Sequence, residues 1–371
     1  MMKKFFYALF VLSFVLVLAA CKGDKVEIAL ITDAGTINDK SFNQGSWEGV
    51  KAYAKKHGIS HDYFQPDEVN TESYLATIEL AVKAGAKVIV TPGFYFSEAI
   101  GEAQTKYPDV TFILVDATPT VDGKEEIKDN VIPILFNEQQ SGFLAGYAAV
   151  KDGFRKLGFM GGNPVPAVRN FGYGYVQGAN YAAQELKLEG KITIRYHYLG
   201  DFVEKPEFKT KAEGWYQSGT EVIFAAAGGA GNSVMSAAQT FMENNQPTKF
   251  VIGVDVDQSH ESKTVITSAL KELANAVEYA LENRDKLGGE VLYLDILNDG
   301  VGLPTDFSRM RNFTKEDYEQ IVNKLKTDKT FREGIKGLNE LSALIEKDEI
   351  SEADLIAKLQ EFVDKVEIQL E

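Results

Sequence analysis

Residues 26–47 read VEIALITDAGTINDKSFNQGSW. Val26 to Thr32 are mostly apolar and β-prone, as expected of a parallel strand covered on both faces. Asp33 follows the strand, and Gly35, Asn38 and Asp39 supply turn chemistry. Trp47, Val50 and Ala54 then recur at helical spacing, which predicts a helix starting near Ser41. In an open α/β sheet, ligands bind in the crevice beyond the carboxyl ends of the strands. Asp33, Ser41, Phe42 and Asn43 fall on that rim.

The same alternation runs outward along the chain. His61–Gln65, Lys87–Thr91, Thr111–Val115 and Val131–Phe136 read as strands. Helical patterns at 71–84, 97–107 and 138–151 are interleaved with them. The series restarts with the strand and glycine turn LGFMGG (157–162), helix 175–188, strand 191–198, helix 206–217 and strand EVIFAAA (221–227). A loop, GGAGNS (228–233), opens helix 233–243. Strand KFVIGVD (249–255), an extended run at 265–270 and helix 271–286 follow. Strands alternating with helices of this length imply parallel βαβ units. The fold class is therefore α/β, with two Rossmann-like lobes joined by three crossover segments near 131–137, 257–268 and 291–303. Lobe 1 takes 26–135 plus about 263–292, and lobe 2 takes 136–262 plus about 293–330. Residues 331–371 read as a helical extension without strand signal. Ser351 and Asp354 start a helix there, and Leu355, Leu359, Phe362 and Val366 mark one face.

The amino terminus, MMKKFFYALFVLSFVLVLAAC, has Lys3 and Lys4 followed by an uncharged run over 5–20. That run is short for a spanning helix, which needs about 20 apolar residues, and reads as a secretory signal over residues 1–20. Its end, Leu18-Ala19-Ala20-Cys21, is similar to a bacterial lipobox, with Cys21 the lipidated residue and 21–25 a tether. An uncleaved membrane anchor is the alternative.

Net charge is −15 and the sequence pI about 4.9, which argues against nucleic acid as a partner. His57 and His61 are four residues apart but lack an accompanying carboxylate cluster, and read as surface residues rather than metal ligands. No metal or cofactor is expected. Neither a Walker motif, a nucleophile elbow nor a cysteine nucleophile is present. What remains are acids at strand ends, Asp33, Asp116 and Asp255, with Lys271 an available cation. Each acid also reads as a helix cap, but together in a cleft they would need hydrogen-bond donors. Glycines at Gly228 and Gly229 would let backbone approach a neutral ligand. Phe42 and Phe202 are placed either to sandwich an aromatic ring or to pack in a core.

Several blocks resemble the basic membrane protein family of bacterial lipoproteins, and within it the purine nucleoside receptors of ABC transporters. They are TDAGTINDKSFNQ (32–44), PGFYFSEAI (92–100), FILVDAT (112–118), LFNEQQSGFLAGYAA (135–149), PAVRNFGYGYVQGA (166–179), AAAGGAGNSV (225–234) and VIGVDVDQ (251–258). The resemblance covers roughly 18–328 and implies a type I periplasmic-binding-protein fold with a nucleoside between the lobes. By position, Phe42 and Phe202 would stack the base. Asp116, Asn43 and Asp33 would read its polar edge. Asp255 and Lys271 would hold the ribose, with Ser41 on the rim and backbone at Gly229. The chain would be a monomeric, non-enzymatic receptor for purine nucleosides (guanosine, adenosine or inosine), held to the cell membrane by lipid on Cys21. ABC permease and ATPase would be separate chains. The competing readings are a nucleoside hydrolase, a surface antigen, adhesin or regulatory lipoprotein of the same fold, and a receptor for another small ligand such as a sugar.

Overall fold

The structure, a computed structural model, describes residues 25–347 and 349–371. The signal over 1–20 and Cys21 lie outside the described residues. The opening stretch forms strand β1 (Ile28–Ile31), buried throughout, then a loop and helix α1 (Phe42–His57). Gly58 ends α1 with φ +67°, the left-handed cap that glycine adopts without steric penalty.

Four more strands follow in the first half: β2 (His61–Phe64), β3 (Val88–Pro92), β4 (Thr111–Val115) and β5 (Val131–Phe136). Six then come from the second: β6 (Lys156–Gly161), β7 (Ile192–Tyr198), β8 (Val222–Ala226), β9 (Phe250–Asp255), β10 (Val265–Lys271) and β11 (Leu292–Leu294). Apart from two short hairpins at 120–125 and 242–247, β12 (Val301–Gly302) and β13 (Val366–Leu370) complete the set. They form two large sheets. The first has the order β11-β5-β4-β3-β1-β2 and is parallel throughout. The second has the order β12-β10-β9-β8-β6-β7-β13. Its β10–β12 pair alone is antiparallel. In each sheet the chain reverses direction across the sheet between the first and third strands of its lobe. The carboxyl ends of β1 and β3 face those of β6 and β8 across a cleft, where this fold class binds ligands.

Two-lobed α/β architecture is therefore observed, with some differences in boundaries. Helices α2 (Thr71–Ala84) and α3 (Ser97–Lys106) follow β2 and β3, and the chain leaves the first sheet after β5 and crosses into helix α4 (Glu138–Lys151). β10 belongs to the second sheet, paired with β9 from Val251↔Val265 to Asp255↔Leu270. After α6 (Pro206–Gln217) and α7 (Gly231–Gln239) of the second lobe, the return to lobe 1 thus begins past Lys271, not near residue 263, with helix α8 (Leu273–Glu282). An apolar run buried on both faces announces a strand but not which sheet it joins. The extension is not purely helical either. It carries helix Glu352–Gln360, after which β13 adds itself parallel to β7 at the sheet edge. Val366 continues the spacing of Leu355 and Leu359 in sequence, but VEIQL also alternates, and pairing with β7 decides for the strand. Phe362, placed on that helical face by spacing, is exposed.

Helix α5 begins at Pro166, not near 175, and runs to Glu185. Its glycines lower helix propensity but permit close packing on α4. A Cβ on Gly174 would lie 2.0 Å from the Gln139 carbonyl oxygen, and one on Gly178 would lie 1.9 Å from that of Phe143. From the other side, Gly142 and Gly146 meet the carbonyls of Phe171 and Tyr175 equally closely. Backbone thus packs on backbone beside the first crossover.

Candidate ligand-binding site

The cleft holds a cavity whose lining encloses about 640 Å³, including the part open to solvent. Asp33, Phe42, Asn43, Asp116, Phe202, Gly229, Asp255 and Lys271 all line it. Of the residues expected at the rim, Ser41 alone does not. It is fully buried behind the wall, and its hydroxyl donates to Asp255 Oδ2 at 2.6 Å.

Asp116 and Asp255 terminate β4 and β9 with φ of +66° and +67°. This left-handed conformation is uncommon outside glycine, though aspartate tolerates it better than most residues. It swings both carboxylates off the strand ends into the cleft, where Lys271 at the end of β10 meets them. Lys271 Nζ lies 2.5 Å from Asp116 Oδ2 and 3.5 Å from Asp255 Oδ1, with both lysine and acid side chains nearly inaccessible. The ammonium also sits over the Phe42 ring, 4.5 Å from its centroid, with Phe136 and Phe171 at 5.4 and 5.6 Å. Burial alone would push the Lys271 pKa down, but the charges of Asp116, Asp255 and Glu138 raise it above the ordinary value. The ammonium therefore stays charged. Burial raises the Asp116 carboxyl and Lys271 opposes that rise. Asp116 Oδ1 is buried and has no hydrogen-bond partner among the described residues.

The other polar wall is built by the loop before α1. Asp39 Oδ1 accepts from the Ser41 and Gln44 amides at 2.9 and 3.1 Å, and its Oδ2 from the Asn43 amide at 2.9 Å. Asn43 Nδ2 donates to both Asp33 Oδ1 (2.9 Å) and Asp39 Oδ2 (3.0 Å). The Asn43 amide is thereby occupied in holding two acids side by side. Burial pushes the Asp33 pKa up to about 6, against the hydrogen bonds from Asn43 and Gly35, with Asp39 adding to the rise.

Phe42 and Phe202 reach the cavity from opposite lobes. Phe202 lies on bare backbone: a Cβ on Gly162 would come 2.3 Å from its ring. An Asx turn shapes the loop, with Asp201 Oδ1 accepting from the amides of Phe202 and Val203 at 2.7 and 3.1 Å. The Phe202 carbonyl takes the Ala230 amide at 2.8 Å, tying that loop to Gly229 and Gly228.

Asp39, Phe94, Tyr95 and Phe171 also line the cavity and were not singled out as site residues in the sequence. Asp39 read as turn chemistry, and Phe171 lay upstream of where α5 was expected to start. Phe94 and Tyr95 follow Pro92-Gly93 at the end of β3, and that position was the signal available for them. No group of three or more His, Cys, Asp or Glu side chains among the described residues is placed to hold a metal ion. Chemically, the cavity offers carboxylate acceptors, one ammonium and aromatic faces. It suits a flat ligand rich in O–H and N–H donors.

A family model described as ABC transporter substrate-binding protein PnrA-like matches residues 25–339. The chain belongs to this family. It is 32% identical over 325 residues to the ABC transporter nucleoside-binding protein BmpA of Lactococcus lactis, covering 82% of this chain and 86% of that one. It is 30% identical over 309 residues to basic membrane protein B of Borreliella burgdorferi, covering 81% and 86%. In three dimensions it resembles an ABC transporter solute-binding protein from Aeropyrum pernix, with a TM-score of 0.68 at 22% identity, over 91% of this chain and 99% of that one. The chain is thus a member of a family of transporter substrate-binding proteins with the periplasmic-binding-protein fold, and nothing in these likenesses points to catalysis. No helix among the described residues is long and apolar enough to cross a membrane.

Proposed function

We propose that this substrate-binding protein captures purine nucleosides in the interlobe cleft and presents them to a separate ABC permease and ATPase. The observation that carries this reading is Asp116 Oδ1, which has no partner among the described residues, in a cavity lined by Phe42 and Phe202 from opposite lobes and by Asp255 with Lys271. A buried acceptor without a donor is costly until a ligand N–H or O–H reaches it. Two aromatic faces would accept a base between them, and Asp255 would accept from the ribose hydroxyls. The name of the Lactococcus relative supports the ligand class. Closure of the two lobes about the three crossovers would complete the cage. The lipobox-like Leu18–Cys21 supports anchorage on the extracytoplasmic face of the cell membrane through lipid on Cys21, with the receptor acting as a monomer.

Native mass spectrometry of the protein as isolated, followed by titration calorimetry with guanosine, adenosine and inosine, tests the reading. Saturable one-to-one binding of at least one purine nucleoside, with no free base released from inosine, is the expected result. Absence of binding to all three, or release of base, overturns it. Cys21→Ser is expected to leave the protein unprocessed or free of the membrane in fractionated cells.

A further inference from the structure

Ser41 and Asp255 belong to different lobes, and the bond between them is the shortest polar contact Asp255 makes. The hydroxyl comes from a loop shaped within lobe 1. Asp39 holds the Ser41 amide, and Lys40 turns the backbone with φ +60°. The loop is then seated on lobe 2. Gln258 Nε2 donates to the Lys40 carbonyl at 2.8 Å, while Gln258 Oε1 accepts from the Val254 amide at 2.9 Å, next to Asp255. Lys40 Nζ pairs with Glu261, and Asn232 Nδ2 approaches the Asp39 carbonyl at 3.5 Å. Ser41, Asp255 and Gln258 are all buried.

Asp255 is therefore oriented from two sides. Lys271 of its own lobe lies against Oδ1, and Ser41 of the other lobe holds Oδ2. Its left-handed backbone turns the side chain into the cleft, and these two contacts set the plane of the carboxylate. The Ser41 hydroxyl reaches Asp255 from across the cleft. A carboxylate can bind two vicinal hydroxyls well only when its plane is fixed, because each oxygen must meet its own donor.

We propose that Ser41 is a positioning residue that makes recognition of the ligand's vicinal hydroxyl pair conditional on lobe closure, by fixing the Asp255 carboxylate from the opposite lobe. The open form would then take the ring of a ribonucleoside or a deoxynucleoside alike, and closure would favour the ribonucleoside. This rests on the nucleoside reading above and extends it to the origin of the sugar preference.

The test is calorimetric affinity for guanosine and 2′-deoxyguanosine in wild type, Ser41→Ala and Ser41→Thr, on protein whose ligand-free melt is checked first. Wild type is expected to prefer guanosine roughly tenfold or more, the difference carried by a hydrogen bond to a charged group. Ser41→Ala should lose roughly five- to tenfold for guanosine and less than about twofold for deoxyguanosine, collapsing the ratio. Ser41→Thr, which retains the hydroxyl, should restore most of the ratio. If Ser41→Ala does not fold, Ser41→Cys, a weaker donor, should give an intermediate ratio. Equal losses for both ligands in the alanine or cysteine variant, or an unchanged ratio, overturns the role of Ser41. Failure of the wild type to bind either nucleoside overturns the nucleoside reading instead.

Discussion

Lys271 sits among more negative charge than one ammonium neutralises. Asp116 and Asp255 touch it, and Glu138, 3% exposed at the start of α4, feels both Lys271 and Asp116. Among the described residues, the side-chain donor to Glu138 is Asn170 Nδ2 at 3.0 Å. Burial, with Asp116 adding, pushes the Glu138 pKa up to about 7. A carboxyl raised on folding contributes stability that is fully present below its unfolded value near 4. That stability is lost as pH rises through about 7. Asp33, pushed up to about 6, acts with the same sign. Glu138→Gln, which keeps the shape and removes the titration, is expected to melt higher than wild type at pH 8 and to show a smaller drop between pH 5 and pH 8. Scanning calorimetry of the ligand-free protein checks this. For the proposed nucleoside, Phe42→Ala should cost about 1–3 kcal/mol of binding, the range for one base–aromatic stack, and unchanged calorimetric affinity would remove Phe42 from the proposed stack. Much of this neighbourhood was legible in the sequence, because strand-end acids mark themselves by position. Asp39 and Ser41 were harder. Both lie in a polar loop, and whether such a residue faces the ligand or braces another side chain depends on the opposite lobe, which local sequence does not describe.

At the level of elements, α4 and α5 pack backbone against backbone, and glycine makes it possible. A Cβ at Gly178 would fall 1.9 Å from a backbone carbonyl, which cannot rotate away as a flexible side chain can. Gly178→Ala is expected to destabilise the protein by about 1–3 kcal/mol, as overpacking of a tight core does, measured by urea denaturation. A smaller effect would mean that the helices part easily. The same glycines concealed the start of α5, since propensity counts them against a helix while packing requires them. β10 illustrates the complementary limit: its strand character was plain, but its partner β9 and its sheet were fixed by tertiary pairing.

For the whole molecule, the tail is structural. β13 covers the outer edge of β7 from Val366↔Ile192 to Leu370↔Tyr196. Glu371 takes a hydrogen bond from Trp215 Nε1 at 3.0 Å. Upstream, Glu352 accepts from Tyr173, Tyr198 and Arg169 at 2.8–3.0 Å. Deleting 366–371 would bare an edge strand, a ready template for pairing with another chain. The truncated protein is expected to aggregate on mild heating, seen by light scattering, while its soluble fraction keeps the ligand affinity of the full-length protein. Two lobes and their alternation could be read from the chain; the tail's last strand could not, because its alternation is too short to outweigh helical spacing upstream.

The order in which the chain visits its lobes also bears on how it is made. Until the residues past β10 are made, the first sheet lacks its edge strand β11, and helix α1 lacks its close neighbour α8, whose Leu273 and Ala274 crowd Gly45 and Gly49. Both missing pieces follow β10, deep in the second half of the chain. During delivery amino end first, the earliest part to emerge therefore waits, with one flank of its sheet unpaired and one helix face bare, until nearly three hundred residues are out. Exposed intermediates of this kind are prone to misassociation, so a chaperone acting on the emerging polypeptide should matter more for this protein than for one whose lobes were encoded in tandem.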